Sequence, residues 1–253
     1  MDLLDIYTGI GGFSLGMEEA GFNTVGFCEV CPDARAVIKK NWPNTPIFED
    51  VRLLNAEALR NAGIKRIDAI AGGFPCQDIS VAGKRAGIEG ERSGLWKEYA
   101  RIIEEFEPEW GVIENVAALR GNGLATVLKD LWKIGYDAEW HVIPASAVGL
   151  PHQRERLWII TYPRSKGLEK PVLEGYAHAF SGETQKPGFG DGWVSERFKS
   201  WLRSEPLRMG DGISGKLASN AIKQYGNSVT PIIPKIIGQA ILEVEAVGSR
   251  TDS

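Results

Sequence analysis

"DLLDIYTGIGGFSLGMEEAGF", residues 2–22, begins as an apolar run, breaks at Gly9, Gly11 and Gly12, and resumes with apolar residues at helical spacing. Leu3 to Tyr7 reads as a buried strand, "TGIGG" as a tight turn, and Phe13 to Ala20 as an amphipathic helix. This strand, turn and helix grammar recurs along the chain. "TVGFCE" (24–29) is a strand candidate followed by a helix from Pro32 to about Asn41, with proline at the first helical position. Then come "IDAIAG" (67–72), "GLWKEYARIIEEF" (94–106), "WGVIEN" (110–115), "LATVLKDLWKIG" (124–135) and "RLWIITY" (156–162). Alternation of this kind joins parallel strands through right-handed crossovers and predicts an α/β fold with a doubly wound, mostly parallel sheet.

Residues 163–220 break the pattern. They are rich in Gly, Pro, Ser and charge, as in "SGETQKPGFGDG", and read as a small, loop-rich lobe or a long insertion. Apolar order returns in "VTPIIPKIIGQAILEVEAV", whose part from Pro234 suits a closing helix. The expected organisation is therefore a catalytic and cofactor-binding domain over 1–162, a lobe over 163–220, and a segment over 221–253 that returns to the first domain. With 253 residues, 43% of them hydrophobic, the chain is long enough for one substantial core. Three cysteines cannot close a disulfide framework, and no window approaches the roughly 18 apolar residues of a membrane span. A cytoplasmic protein that stays off membranes is expected.

In a doubly wound sheet, ligands bind at the carboxyl edge of the strands. "GGFPCQ" (72–77) places Cys76 at such an edge, behind glycines that let the backbone turn or approach a ligand. A thiol is a few per cent thiolate at neutral pH and already nucleophilic. "VIENV" (112–116) brings Glu114 to the same edge, where a carboxyl shielded from water can donate a proton. The first turn lacks the G-x-G-x-x-G spacing of dinucleotide folds, which disfavours a nicotinamide oxidoreductase. Glu29 ends the second strand about 20 residues on, where an acid accepts from ribose hydroxyls. A methyl-donor nucleoside fits this turn better than NAD.

"DIYTGIGGFSLGMEEAGF", "FEDV", "GGFPCQDIS", "ENV", "QRERLWII" and "YGNSVTP", in this order, resemble the cytosine-C5 DNA methyltransferase family. The resemblance implies a Rossmann-like class I methyltransferase that uses S-adenosylmethionine on duplex DNA, as in restriction-modification. It implies Cys76 as the nucleophile that adds to cytosine C6, Glu114 as the group holding N3 and the exocyclic amine, and Arg154 and Arg156 beside the base. It further implies Phe13 stacked on adenine, Gly9 and Gly11 beside the methionine portion, Glu29 at ribose, Asp50 at the adenine amine, and Asn227 and Val229 closing the pocket, with Leu95 a further member. The segment after Cys76 resembles the family's mobile catalytic loop, in which Gln77, Lys84, Arg85 and Arg92 would meet the nucleic acid around a flipped base.

Two departures stand out. Tyr7-Thr8 replaces the family's usual phenylalanine-alanine, and "CEVCPDA" replaces its acid-asparagine-aspartate run. The Cys28-x-x-Cys31 spacing has no second pair and no flanking histidine, so it reads as strand-end packing and no metal site is expected. The family's target-recognition region falls on 163–220, here short. Residues 186–223 carry seven basic against four acidic residues, a local +3 in a chain of net charge −4. Arg197, Lys199, Arg203 and Arg208, interleaved with Trp193, Phe198 and Trp201, are the expected DNA contacts. A tRNA-methylating relative and a catalytically silent nucleic-acid-binding relative are the alternatives. A monomer suffices, since each target base is processed singly.

Overall fold

The computed structural model describes residues 1–75, 94–150, 152–176 and 229–251. Seven strands form one sheet: β1 (Asp2–Ile6), β2 (Asn23–Cys28), β3 (Ile47–Phe48), β4 (Ala69–Gly72), β5 (Trp110–Val116), β6 (Tyr136–Pro144) and β7 (Glu155–Pro163). Their order is β3-β2-β1-β4-β5-β7-β6. β1 to β5 pair in parallel, whereas β7 runs antiparallel to both β5 and β6. The chain order reverses between β1 and β4, which puts a crevice at the carboxyl ends of those two strands.

The helices divide between the two faces. On one face lie α4 (Leu95–Phe106) and α6 (Leu124–Lys133), with the short α3 (Ala56–Asn61) and α5 (Leu119–Asn122) beside them. Trp96, Tyr99, Ile102, Ile103, Val127 and Leu131 bury there against Leu4, Ile6, Ile70, Ile113 and Ile159. On the other face α1 (Gly12–Ala20) and the closing α7 (Ile232–Thr251) bury Phe13, Met17, Ile233 and Ile237 against Leu3, Ala69, Val112, Trp158 and Ile160. α2 (Pro32–Asn41) seals a third cluster around Phe27 and Trp42. Local chemistry sets several boundaries: Pro32 opens α2 where no N–H partner exists, and Asn55 caps α3 by accepting from the Ala58 N–H at 2.9 Å.

α1 and α7 approach closely because glycines line the contact. A Cβ on Gly16 would overlap the Pro231 carbonyl, and one on Gly12 the Val229 carbonyl. This packing brings the start of α7 onto the glycine turn. Val172 and Leu173, just past β7, are buried with the α1/α7 face. The expected strand Leu3 to Tyr7 stops at Ile6, because Tyr7 takes a left-handed φ of 54°. No helix among the described residues is long and apolar enough to cross a membrane.

Candidate active site

The turn after β1 and the end of β2 build one corner of the crevice. The Gly9 N–H donates to Glu29 Oε2 at 2.7 Å, and the Cys31 N–H donates to Glu29 Oε1 at 2.7 Å. Glu29 is 9% exposed, and burial holds its carboxyl above the usual range against those bonds. Gly9 sits at φ 58°, with nothing within 4 Å of where a Cβ would be, so it borders open space. Tyr7 lines the same edge: its hydroxyl donates to the Leu95 carbonyl at 2.7 Å and its ring stacks on Tyr99 at 6.3 Å. In the sequence Tyr7 stands out only as a departure from the family's usual phenylalanine, with no role attached. Its positive φ, costly for a bulky residue, is the feature that singles it out.

At this corner Phe13, Gly11 and Asp50 each meet other parts of the protein. Phe13 is 2% exposed in α1 and meets Trp158 edge-on at 5.5 Å. Gly11 is required by Trp42, whose ring would lie 2.6 Å from a Cβ there. Asp50 caps the 3₁₀ turn Val51–Leu53, and its carboxylate accepts from Arg52 at 2.6 Å and 2.9 Å. Cys28 is core, its thiol pushed up to about 12 by burial, and Cys31 precedes α2.

The second corner lies at the end of β5. Glu114 Oε1 stands 2.8 Å from Arg156 Nε, with the carboxylate side chain 13% exposed. Burial raises the Glu114 pKa, and the charges of Arg156 and Arg154 oppose that rise. Desolvation and the neighbouring Arg156 lower the Arg154 pKa. Asn115 donates to the Phe74 carbonyl at 3.1 Å, and a Cβ on Gly73 would lie 2.7 Å from Glu114 Oε2. The backbone just before Cys76 is thereby held against the β5 edge. Glu114, Arg154, Arg156 and Val229 line one small pocket with Ala145, Trp158, Thr230 and Ile233. Cys76, Asn227, Gln77, Lys84, Arg85, Arg92, Arg197, Lys199, Arg203 and Arg208 lie outside the described residues.

A sheet of this order with one reversed strand, a glycine turn after β1 and an acid closing β2 defines a Rossmann-like methyltransferase fold. A solved DNA modification methyltransferase encoded in an E. coli prophage superposes with a TM-score of 0.72 at 19% identity, covering 97% of this chain and 99% of that one. The S. pombe Dnmt2 methyltransferase gives 0.58 at 15% identity, covering 95% of each. Residues 1–190 match the C-5 cytosine-specific DNA methylase family, and the chain belongs to it. Similar relatives are the type II methyltransferases M2.BsuMI of Bacillus subtilis (36% identity, 63% of this chain and 41% of that one) and M.AquIA of Picosynechococcus (30%, 67% and 75%). The chain thus spans under half the length of the Bacillus relative.

Proposed function

We propose that the chain transfers a methyl group from S-adenosylmethionine to C5 of a cytosine flipped out of duplex DNA, with Cys76 as nucleophile. The observation that carries this reading is the Glu114–Arg156 pair, packed against Gly73 at the carboxyl edge. Bound at the first corner, the donor supplies an electrophilic methyl group. The fit there rests on the open space beside Gly9 and on a buried Glu29 whose oxygens still have lone pairs for ribose hydroxyls.

The Cys76 thiolate adds to C6, and the ring electrons move onto C5. Glu114, kept largely from water, holds a proton toward N3 and so neutralises charge that would otherwise develop on the ring. Arg156 fixes that carboxyl in place, and Arg154 supplies a second guanidinium for O2 or a phosphate. Once C5 has taken the methyl group, its proton leaves to a base, the ring electrons return, and the C6–S bond breaks. Positioned groups of this kind act before any part of the ring meets bulk water.

A duplex carrying 5-fluorocytosine tests the covalent step, since fluorine cannot leave as a proton does. The expected result is a donor-dependent adduct that resists denaturation and is lost in Cys76→Ser. An active enzyme that forms no adduct refutes covalent catalysis, and labelled methyl appearing in tRNA rather than duplex DNA refutes the substrate.

A further inference from the structure

Trp158 carries a donor that the reading above does not use. It stands directly opposite Glu114 in the antiparallel β5–β7 pair, so the two side chains leave the sheet on one face. Arg156, two residues earlier on β7, shares that face. Trp158 is 1% exposed and lines the Glu114 pocket together with Arg154, Arg156 and Thr230. Phe13 meets its indole edge-on at 5.5 Å, which holds the ring in place. The indole Nε1 is buried and has no hydrogen-bond partner among the described residues. An indole N–H can only donate, and one left buried and unpaired is costly to keep for packing alone.

The neighbouring guanidinium is committed elsewhere. Arg156 gives its Nε to Glu114 at 2.8 Å and its Nη1 to the Glu155 carbonyl at 2.8 Å. Arg154 answers to the charge of the same Glu114 carboxyl, and Thr230 is only half-buried. We propose that the Trp158 indole N–H is a further substrate-binding group, the donor that receives the O2 carbonyl of the cytosine held by Glu114. The inference rests on the methyl-transfer reading above. It assigns O2 to Trp158 and leaves the Arg154 guanidinium for a phosphate.

A flipped cytosine presents its amine, N3 and O2 side by side on one edge. O2 adjoins N3, so a partner for O2 must adjoin the partner of N3, and Trp158 is the cross-strand neighbour of Glu114. O2 is an acceptor, and a donor-only group cannot be mistaken for its rival. The cavity enclosed by these residues measures about 10 Å³, room for one oxygen atom and not for a ring. It suits the tip of a carbonyl. As the thiolate adds to C6, ring electrons move toward N3 and O2, so a bond to O2 strengthens in the transition state. An indole N–H does not titrate, and its contribution holds at every pH at which Glu114 works.

The experiment is single-turnover methyl transfer by the full chain, wild type and Trp158→Phe, on duplexes whose target base is cytosine or 2-thiocytosine. In the latter, sulfur replaces O2 and is a much weaker acceptor. The duplex carries a site found by bisulfite sequencing of DNA that the chain has methylated. Wild type should lose about tenfold on 2-thiocytosine, and Trp158→Phe about tenfold on cytosine, as for a buried donor or acceptor left unpaired. The losses should not add: on 2-thiocytosine the variant should equal wild type. Donor affinity should be the same in both proteins. Losses that multiply to about a hundredfold, or a variant with the wild-type rate on cytosine, overturn the proposal and leave the N–H to a structural water. Should Trp158→Phe fail to fold, or 2-thiocytosine prove inert with wild type, the ¹⁵N-labelled indole N–H resonance of Trp158 decides. A downfield proton shift when the 5-fluorocytosine adduct forms supports the proposal, and an unmoved resonance overturns it. A wild type that transfers no methyl group to cytosine overturns the methyl-transfer reading itself and this inference with it.

Discussion

Arg156 reaches Glu114 diagonally across an antiparallel strand pair: Arg156 stands opposite Val116 and Glu114 opposite Trp158, and the two charged side chains meet at 2.8 Å. A diagonal pair on one sheet face is within reach of a long side chain. A register slip of one residue would send Arg156 to the other face. The reversed strand β7 is therefore part of the site, because only an antiparallel neighbour brings the start of one strand against the end of another.

Arg156→Gln removes the charge that opposes desolvation of Glu114. Burial, the larger influence, then acts with less opposition, and the Glu114 pKa should rise further. The ¹³C titration of that carboxyl should move upward. Glu114 would keep the proton it holds toward N3 to higher pH, and the alkaline limb of the rate profile should shift upward with it. Glu114→Gln should lower the methyl-transfer rate about a hundredfold while duplex binding changes little. Activity within twofold of wild type would show the carboxyl to be structural.

Gly73→Ala tests the close approach on the other side of Glu114. The added methyl would lie 2.7 Å from Oε2, nearer than carbon and oxygen tolerate. Either the carboxyl turns away from Arg156 or the backbone leading to Cys76 shifts. A displacement of about 1 Å in a reacting group can cost on the order of a hundredfold in rate. The variant should stay folded, bind donor normally and lose most of its turnover in a single-turnover assay.

The sequence made the strand and helix alternation of β1, β2, β4, β5 and β7 legible because these strands are buried on both faces and read as apolar runs. β6 was not foreseen: "YDAEWHVIP" is an edge strand with Trp140 40% exposed and acids at 137 and 139, so neither continuous apolarity nor clean alternation marks it. β3 has two residues, too few for any pattern. At the site, Glu114 and Arg156 were foreseen from motif resemblance, whereas their meeting depends on the β5–β7 register, which no local signal encodes. Phe13 is placed on the adenine by the resemblance alone. In the helix that starts at Gly12 its ring is buried.

Phe13 and Tyr7 should accordingly fail in different ways. Phe13→Ala opens a cavity beside Trp158 and should cost about 3–5 kcal/mol of stability, seen as a large drop in Tm. Donor affinity of the protein that remains folded should change little. Tyr7→Leu keeps apolar volume but loses the hydroxyl bond to Leu95 and the ring at the edge, costing about 1 kcal/mol of stability. Donor affinity, measured by calorimetry, should fall about tenfold, in keeping with loss of an aromatic contact. The reverse pattern would place Phe13, not Tyr7, in the pocket.

Gly16→Ala sets helix propensity against packing and decides which is larger. In an isolated helix the change should stabilise by about 1 kcal/mol, because glycine has more backbone freedom to lose. Here the new methyl would overlap the Pro231 carbonyl and crowd the Lys235 N–H, both backbone groups of the chain entering α7. Neither can rotate away as a side chain would. α7 must then shift off α1, loosening the contacts of Ile233 and Ile237 with the sheet, and overpacking of this kind costs about 1–3 kcal/mol. The net expectation is a loss of stability, read as a lower midpoint in urea. Because Val229 and Thr230 precede that helix and line the Glu114 pocket, methyl transfer should fall as well, even in protein that remains folded at the assay temperature. A higher midpoint would mean that α7 accommodates the methyl without cost and that the glycine contact does not hold the start of that helix at the site.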